Sequence, residues 1–308
     1  LPDEGVPTHS QHCESARFPV SAPHVWHFFM LFGQDGRRIE RRRQTRVQQG
    51  NPGGKLVSMS DKTSAAQSSG VMETVKTVGY ALLIALVIRA LLFQPFSIPS
   101  GSMLSTLLIG DYLFVSKYAY GYSKHSLPFS PPLFSGRILS GEPERGDVAV
   151  FKLPLDGRTD YIKRIVGLPG DRIQMRDGQL IINDEPVPRE RVEDFVEEDR
   201  FGNIRRVARY RETLSNGKSY LTLDQVRGSS GDNTGVFTVP AGHYFMMGDN
   251  RDDSQDSRVP GAVGYVPFEN LVGRAEFIFY STDGSARFWE FWRWPTVTRW
   301  GRIGEGVH

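Results

Sequence analysis

The sequence has very little sulfur to cross-link. Cys13 is the one cysteine among 308 residues, so an intrachain disulfide is excluded, and the thiol count assigns no redox compartment. Neither charge sign is in excess. Lys plus Arg is 37, Asp plus Glu is 35, and the net charge is +2, which gives no general argument for nucleic acid as a partner. Long apolar runs are scarce, with one at residues 77–96 and no second of that length. No G-x-S-x-G elbow is present for a Ser-His-Asp hydrolase. His9, His12, Cys13, His24 and His27 are not followed by a second cysteine at finger spacing, so no metal site is assigned. What is plentiful is turn chemistry. Nineteen prolines and 32 glycines favour a turn-rich β protein over a helical bundle.

Residues 1–73 read as a polar, disordered N-terminal region carrying an arginine cluster (Arg37, Arg38, Arg41, Arg42, Arg43, Arg46), because such composition buries too little apolar surface to order itself. The chain opens with Leu, and Met59 precedes a short polar tail. Residues 1–58 are therefore read as an upstream extension ahead of a translation start at Met59. Residues 74–96 read as one transmembrane helix. Its apolar stretch, 77–96, is twenty residues with the single charge Arg89, enough to cross about 30 Å of hydrocarbon. No A-x-A-like site closes it as in a cleavable signal peptide. Lys62 and Lys76 precede the run, which places the N-terminus in the cytoplasm.

The run ends in Gln94-Pro95-Phe96-Ser97-Ile98-Pro99-Ser100-Gly101-Ser102-Met103. Two prolines exclude helix and impose extended backbone. Gly101 lets the chain turn beside Ser102 and leaves room for another backbone. Strand composition follows in Asp111-Tyr112-Leu113-Phe114-Val115-Ser116-Lys117, then a loop over 126–144. Arg145-Gly146-Asp147 reads as a turn into the buried strand Val148-Ala149-Val150-Phe151. Tyr161-Ile162-Lys163-Arg164-Ile165-Val166-Gly167 is another strand, closed by Pro169-Gly170. Residues 178–184 are part of a hairpin. Residues 188–235 are charged and irregular, and read as a peripheral β-rich insertion. Within it Ser215-Asn216-Gly217-Lys218 matches S-x-x-K, but Asn-Gly is a turn signal and defeats the helical spacing which that motif needs. Residues 239–247 return to core strand composition. The polar loop Gly248-Asp249-Asn250-Arg251-Asp252-Asp253-Ser254-Gln255-Asp256-Ser257-Arg258 interleaves carboxylates with arginines. Arg251 interrupts it and no bidentate Glu closes it, so it is not a calcium loop. The tail Phe288-Trp289-Glu290-Phe291-Trp292-Arg293-Trp294 has the Trp–Arg composition of a membrane–water interface or of domain packing.

Four of these stretches, in order after an apolar run, resemble the bacterial type I signal peptidases, or leader peptidases. They are Pro99-Ser100-Gly101-Ser102-Met103, the strand after Arg145, the strand holding Lys163 to Asp171, and the loop 248–258; the likeness covers residues 74–300. The resemblance implies a strongly bent, mostly antiparallel β domain over 97–187 and 236–308, with 188–235 as a smaller inserted subdomain. It implies Ser102 as nucleophile and Lys163 as general base. Ser100 joins the Ser102 amide in an oxyanion hole, and Ser254 orients the lysine. Asp249, Arg164, Asp256 and Arg258 form the ion-pair scaffold. Phe96, Ile98, Pro99, Val150, Tyr161 and Ile162 bind substrate, with shallow pockets for small residues one and three before the cut. Asp253 stands where many relatives carry Asn. No cofactor is implied. The partners implied are preproteins bearing signal peptides and membrane lipid, and the location is a bacterial inner membrane, with the catalytic domain on its outer face.

The residues make sense of that chemistry. A serine hydroxyl needs a base to take its proton, and a lysine at about 10.4 is no base near neutrality. Ile162 and Ile165 beside Lys163 disfavour the ammonium and lower its pKa. The alternative reading is a membrane-anchored β domain that binds a protein partner and cuts nothing.

Overall fold

Helix α1, Lys62–Leu91, leads directly into the first strand. The computed structural model describes residues 62–127, 130, 135–198, 204–287 and 289–308. The arginine cluster, the His/Cys group and Met59 lie outside the described residues, as does Phe288. The sequence reading carries the helix through residue 96. The structure ends it at Leu91, and Phe93–Ser97 is strand β1. Pro95 explains the difference: it lacks an N–H and drives Gln94 to extended backbone. β1 then completes itself by pairing with β2, Asp111–Ser116. A proline is tolerated there because β1 is an edge strand.

The strands that follow are β3 Val148–Lys152, β4 Asp160–Gly167, β5 Arg172–Arg176, β6 Gln179–Ile182 and β7 Glu185–Pro186. Next come β8 Arg189–Arg191, β9 Phe195–Glu198, β10 Ile204–Thr213 and β11 Ser219–Asp224. The last are β12 Phe237–Thr238, β13 His243–Met247, β14 Val266–Pro267 and β15 Leu271–Ser281. The fold is mainly β. Seven strands form one curled antiparallel sheet in the order β1-β2-β15-β3-β4-β13-β14. Both faces of its centre are covered. Along β3, Val148 and Val150 join the cluster of Ile98, Met103 and Leu113, while Ala149 and Phe151 join that of Ile165, Met246 and Leu271. Successive side chains point to opposite faces, so the unbroken apolar run Val-Ala-Val-Phe marks a strand buried on both sides.

A second sheet runs β12-β5-β6-β7. Asp177 and Gly178 (φ 48° and 75°) turn β5 into β6, and Asn183 and Asp184 (φ 54° and 68°) turn β6 into β7. Positive φ at both central residues is the type I′ hairpin signature, so the stretch read as part of one hairpin holds two turns. The third sheet, β11-β10-β8 with β9 farther along β10, is built from residues 188–235. Within it Ser215 to Lys218 is a turn, with Gly217 at φ 84°, and Lys218 pairs with Glu144 and Asp147. Two backbone bonds tie this region to the loop after β13. Leu223 N–H donates to the Asp249 carbonyl (2.8 Å), and Arg251 N–H donates back to Leu223 (3.0 Å).

Candidate active site

Ser102 sits in a single 3₁₀ turn, Gly101–Met103, where the chain leaves the edge of the large sheet. Ser100 precedes it, exposed and extended at φ −130° and ψ 157°. The first N–H groups of such a turn have no acceptor within it. Opposite stands Lys163, in the middle of β4 and paired in register with Ala149. The two side chains meet: Lys163 Nζ lies 2.7 Å from Ser102 Oγ. Lys163 Nζ also donates to the Ile162 carbonyl at 2.9 Å. The lysine is 3% exposed and the serine 8%. Burial pushes the Lys163 pKa down to about 8, against an opposing pull from Asp256, Asp249 and Asp253. An ammonium in a poorly solvated site loses hydration that no adjacent carboxylate fully replaces.

The scaffold residues form two separate buried pairs. Arg164 meets Asp249 through Nε (2.8 Å) and Nη2 (2.7 Å), both side chains being 1% exposed. Arg164 Nη1 donates to the carbonyl of Gly146 (2.7 Å), a turn residue at φ 95°, and Nη2 to that of His308 (3.0 Å). Arg258 meets Asp256 through Nε (2.9 Å) and Nη2 (2.8 Å). Burial alone would raise the Asp256 carboxyl, but Arg258, with the Gly248 N–H, outweighs it and holds the pKa below the usual range. The fork of a guanidinium satisfies both oxygens of a carboxylate at once, which lets the charges stay buried.

Ser254 lies in the loop after β13, six residues beyond Gly248. Its hydroxyl is buried beside Gly248 and makes no hydrogen bond to Lys163. Gly248 is the tight point of the site. A β-carbon there would lie 2.2 Å from Ser254 Oγ and 2.6 Å from the Ser102 carbonyl oxygen. The close backbone approach assigned to Gly101 falls on Gly248 instead; a β-carbon on Gly101 would meet mainly the Leu104 side chain, at 3.0 Å.

Of the substrate residues, Phe96, Ile98, Val150 and Ile162 gather in one apolar cluster, with Ile98 and Val150 buried and Phe96 and Ile162 partly open. Tyr161 belongs to the other cluster, packed against Phe151 with ring centroids 6.0 Å apart. Pro99 is exposed.

Two contributors escape a reading by motif. Asn250, fully buried, donates Nδ2 to the Gly101 carbonyl (3.0 Å) and its N–H to the Ser102 carbonyl (3.1 Å). Glu212 on β10 pairs with Arg251 and accepts from Tyr220 Oη (2.9 Å). The only sequence signal for Asn250 is its place two residues after Gly248. Glu212 has none, since it sits in a charged strand among many other acids.

Known proteins supply the next observation. A family model described as "Signal peptidase, peptidase S26" matches residues 71–280. The chain is similar to curated proteins named Signal peptidase I. That of Rickettsia typhi is 47% identical over 211 residues, 66% of this chain and 78% of the relative. That of Rickettsia akari is 43% identical over 231 residues, 72% and 85% respectively. A solved signal peptidase I from Enterococcus faecalis shares 28% identity over 43% of this chain and 96% of its own, with a TM-score of 0.25. The class is that of a serine peptidase, a hydrolase. Within that class, the chain belongs to the signal peptidase family, peptidase S26.

Proposed function

We propose that this peptidase removes N-terminal signal peptides from exported preproteins, acting through an acyl-enzyme on Ser102 with Lys163 as its general base. The observation that carries the reading is the 2.7 Å approach of Lys163 Nζ to Ser102 Oγ, with the amine lowered to about 8. In its neutral form Nζ accepts the hydroxyl proton as Oγ attacks the scissile carbonyl. The Ser102 N–H and the Ser100 hydroxyl face the oxyanion, each such donor being worth roughly 3 kcal/mol. The resulting ammonium gives its proton to the departing amine. Water, deprotonated by Lys163 in turn, then releases the acid. The Arg164–Asp249 and Arg258–Asp256 pairs hold the two arms of the site.

Two free edges support the placement of an extended substrate. β1 is the outermost strand of its sheet. β13 pairs with residues 164–167 of β4, which leaves residues 160–162 unpaired on that side. A peptide lying between residues 96–99 and 160–162 gains backbone hydrogen bonds by strand addition. Its alternate side chains meet Phe96, Ile98, Val150 and Ile162, whose bulk admits Ala, Gly or Ser at the first and third positions before the cut. Residues 97–187 and 236–308 form the catalytic domain and 188–235 a subdomain.

One helix among the described residues is long and apolar enough to span a bilayer, Val71–Arg89, with mean hydropathy 1.8 and none of it buried. In the proposed arrangement it anchors the enzyme once, with the N-terminus cytoplasmic and the catalytic domain outside. Trp289, Phe291, Trp292 and Trp300 are exposed and suit contact with the lipid interface.

The test is cleavage of a signal-peptide substrate by the full chain in detergent. Products should begin at the mature N-terminus, and Ser102→Ala should yield none. Unaltered cleavage by Ser102→Ala would refute the assignment.

A further inference from the structure

A chain of hydrogen bonds runs from the third sheet to the serine turn. Arg205 on β10 donates from Nη2 to Gln225 Oε1 (2.5 Å). Gln225 donates from Nε2 to Asn250 Oδ1 (2.8 Å). Asn250 then donates from Nδ2 to the Gly101 carbonyl (3.0 Å). Its two ends fix its direction. A guanidinium has only donors, and a backbone carbonyl only accepts. Each carboxamide between them can satisfy both neighbours in one orientation alone. Flipping either amide sets donor against donor or acceptor against acceptor. Asn250 is fully buried, so water offers it no substitute, and an unmade bond there carries the full cost of desolvation.

We infer that Gln225 is a positioning residue for the reaction: it sets the polarity of Asn250 and so fixes the turn carrying Ser102 against Lys163. The inference rests on the reading of Ser102 as nucleophile. The main chain around Gln225 has anchors that do not involve its side chain. Leu223 holds the main chain of Asp249 and Arg251 by two backbone bonds of its own, and the N–H groups of Gln225 and Val226 are anchored on Asp252 Oδ2. The amide's remaining work is directional. Small displacements of a nucleophile are costly, up to about a hundredfold in rate for 1 Å.

The experiment compares wild type, Ser102→Ala, Gln225→Met and Gln225→Glu in the full chain in detergent, measuring kcat, KM and Tm on a signal-peptide substrate. Glutamate keeps the shape and still accepts from Arg205, but its carboxylate presents an acceptor to Asn250 Oδ1. Methionine presents neither donor nor acceptor. The expected order of kcat is wild type, then Met, then Glu, with Glu down by about tenfold or more, KM within about twofold, and Tm lowered in both variants by the unmade bond at Asn250 while each stays folded at the assay temperature. A packing role predicts the opposite order, since Glu is the closer isostere. Gln225→Glu with wild-type kcat, or Met losing more kcat than Glu, overturns the inference. If Gln225→Glu does not fold, Gln225→Met alone decides. It removes the donor to Asn250 Oδ1 and should lower kcat several-fold with KM held, and an unchanged kcat there overturns the inference equally. Cleavage by Ser102→Ala would instead defeat the nucleophile assignment, whatever the Gln225 variants do.

Discussion

Gly248 lies so close beneath Ser254 that a β-carbon on it would sit 2.2 Å from the serine hydroxyl oxygen, and the Ser102 carbonyl is nearly as close at 2.6 Å. Backbone cannot yield as a flexible side chain does. Gly248→Ala is therefore expected to shift the nucleophile's turn and lower kcat/KM by about a hundredfold, with a fall in Tm. Parallel kinetics and thermal melting check it; near wild-type turnover would mean that the loop relaxes freely. Ser254→Ala removes a hydroxyl without adding bulk, and should retain a larger share of turnover than Gly248→Ala.

The pH dependence follows from Lys163. Only the neutral amine accepts a proton, so kcat/KM should rise with pH through a midpoint of about 8. Below it the loss is about tenfold per pH unit. Lys163→Arg should be inactive, because guanidinium does not deprotonate in proteins. A flat profile between pH 6 and 9 on a substrate with no titrating groups would remove the general base.

The same burial has a stability consequence of opposite sense to most salt-bridged lysines. The folded-state pKa is about 8 against an ordinary value of 10.5, so between those values the unfolded chain binds more protons, and stability rises with pH across that window. Below about pH 8 the strain is fully present. Lys163→Met, which carries no charge into the site, is expected to be inactive yet more stable than wild type there, by up to about 3 kcal/mol. Urea unfolding at pH 6.5 and pH 10 measures it, with the difference shrinking at the higher value.

Specificity tests the pocket walls. Ile162 is partly open while Ile98 is buried in the core. Ile162→Ala should admit larger residues at the first or third position before the cut with little loss of stability. Ile98→Ala should cost about 2–5 kcal/mol, as buried large-to-small changes do. Mass spectrometry of products from a substrate library, beside melting curves, separates the two effects. Strict small-residue selectivity in an active Ile162→Ala enzyme would move the pocket elsewhere.

The four motif stretches were readable because each combines a local signal with an interaction that does not depend on distant detail. The Val-Ala-Val-Phe run needs two apolar faces, and Arg145-Gly146-Asp147 needs a positive φ, which Gly146 supplies at 95°. Lys163 among aliphatic neighbours announces its own desolvation. The helix end was only half readable. Pro95 signals a break, but Phe96 is as apolar as any residue in the run, and it is pairing with Tyr112 to Ser116 that takes residues 93–97 into a sheet. Gly101 and Gly248 look alike in sequence, and long-range packing decides which is approached by backbone. The Glu212–Arg251 pair joins residues 39 apart in strands and loops of mixed charge, where no spacing rule selects one partner from the many acids available.

The passage from α1 into β1 has a mechanical meaning. One residue, Leu92, separates helix from strand, and its carbonyl is already held by the Lys117 N–H at 3.0 Å. Tyr122 Oη grips the Leu91 carbonyl at 2.6 Å and Lys117 Nζ that of Arg89 at 3.1 Å. There is no slack between the helix and the sheet edge, so β1 works as a ruler. It sets part of the distance from the helix end to Ser102, at about 3.3 Å per strand residue.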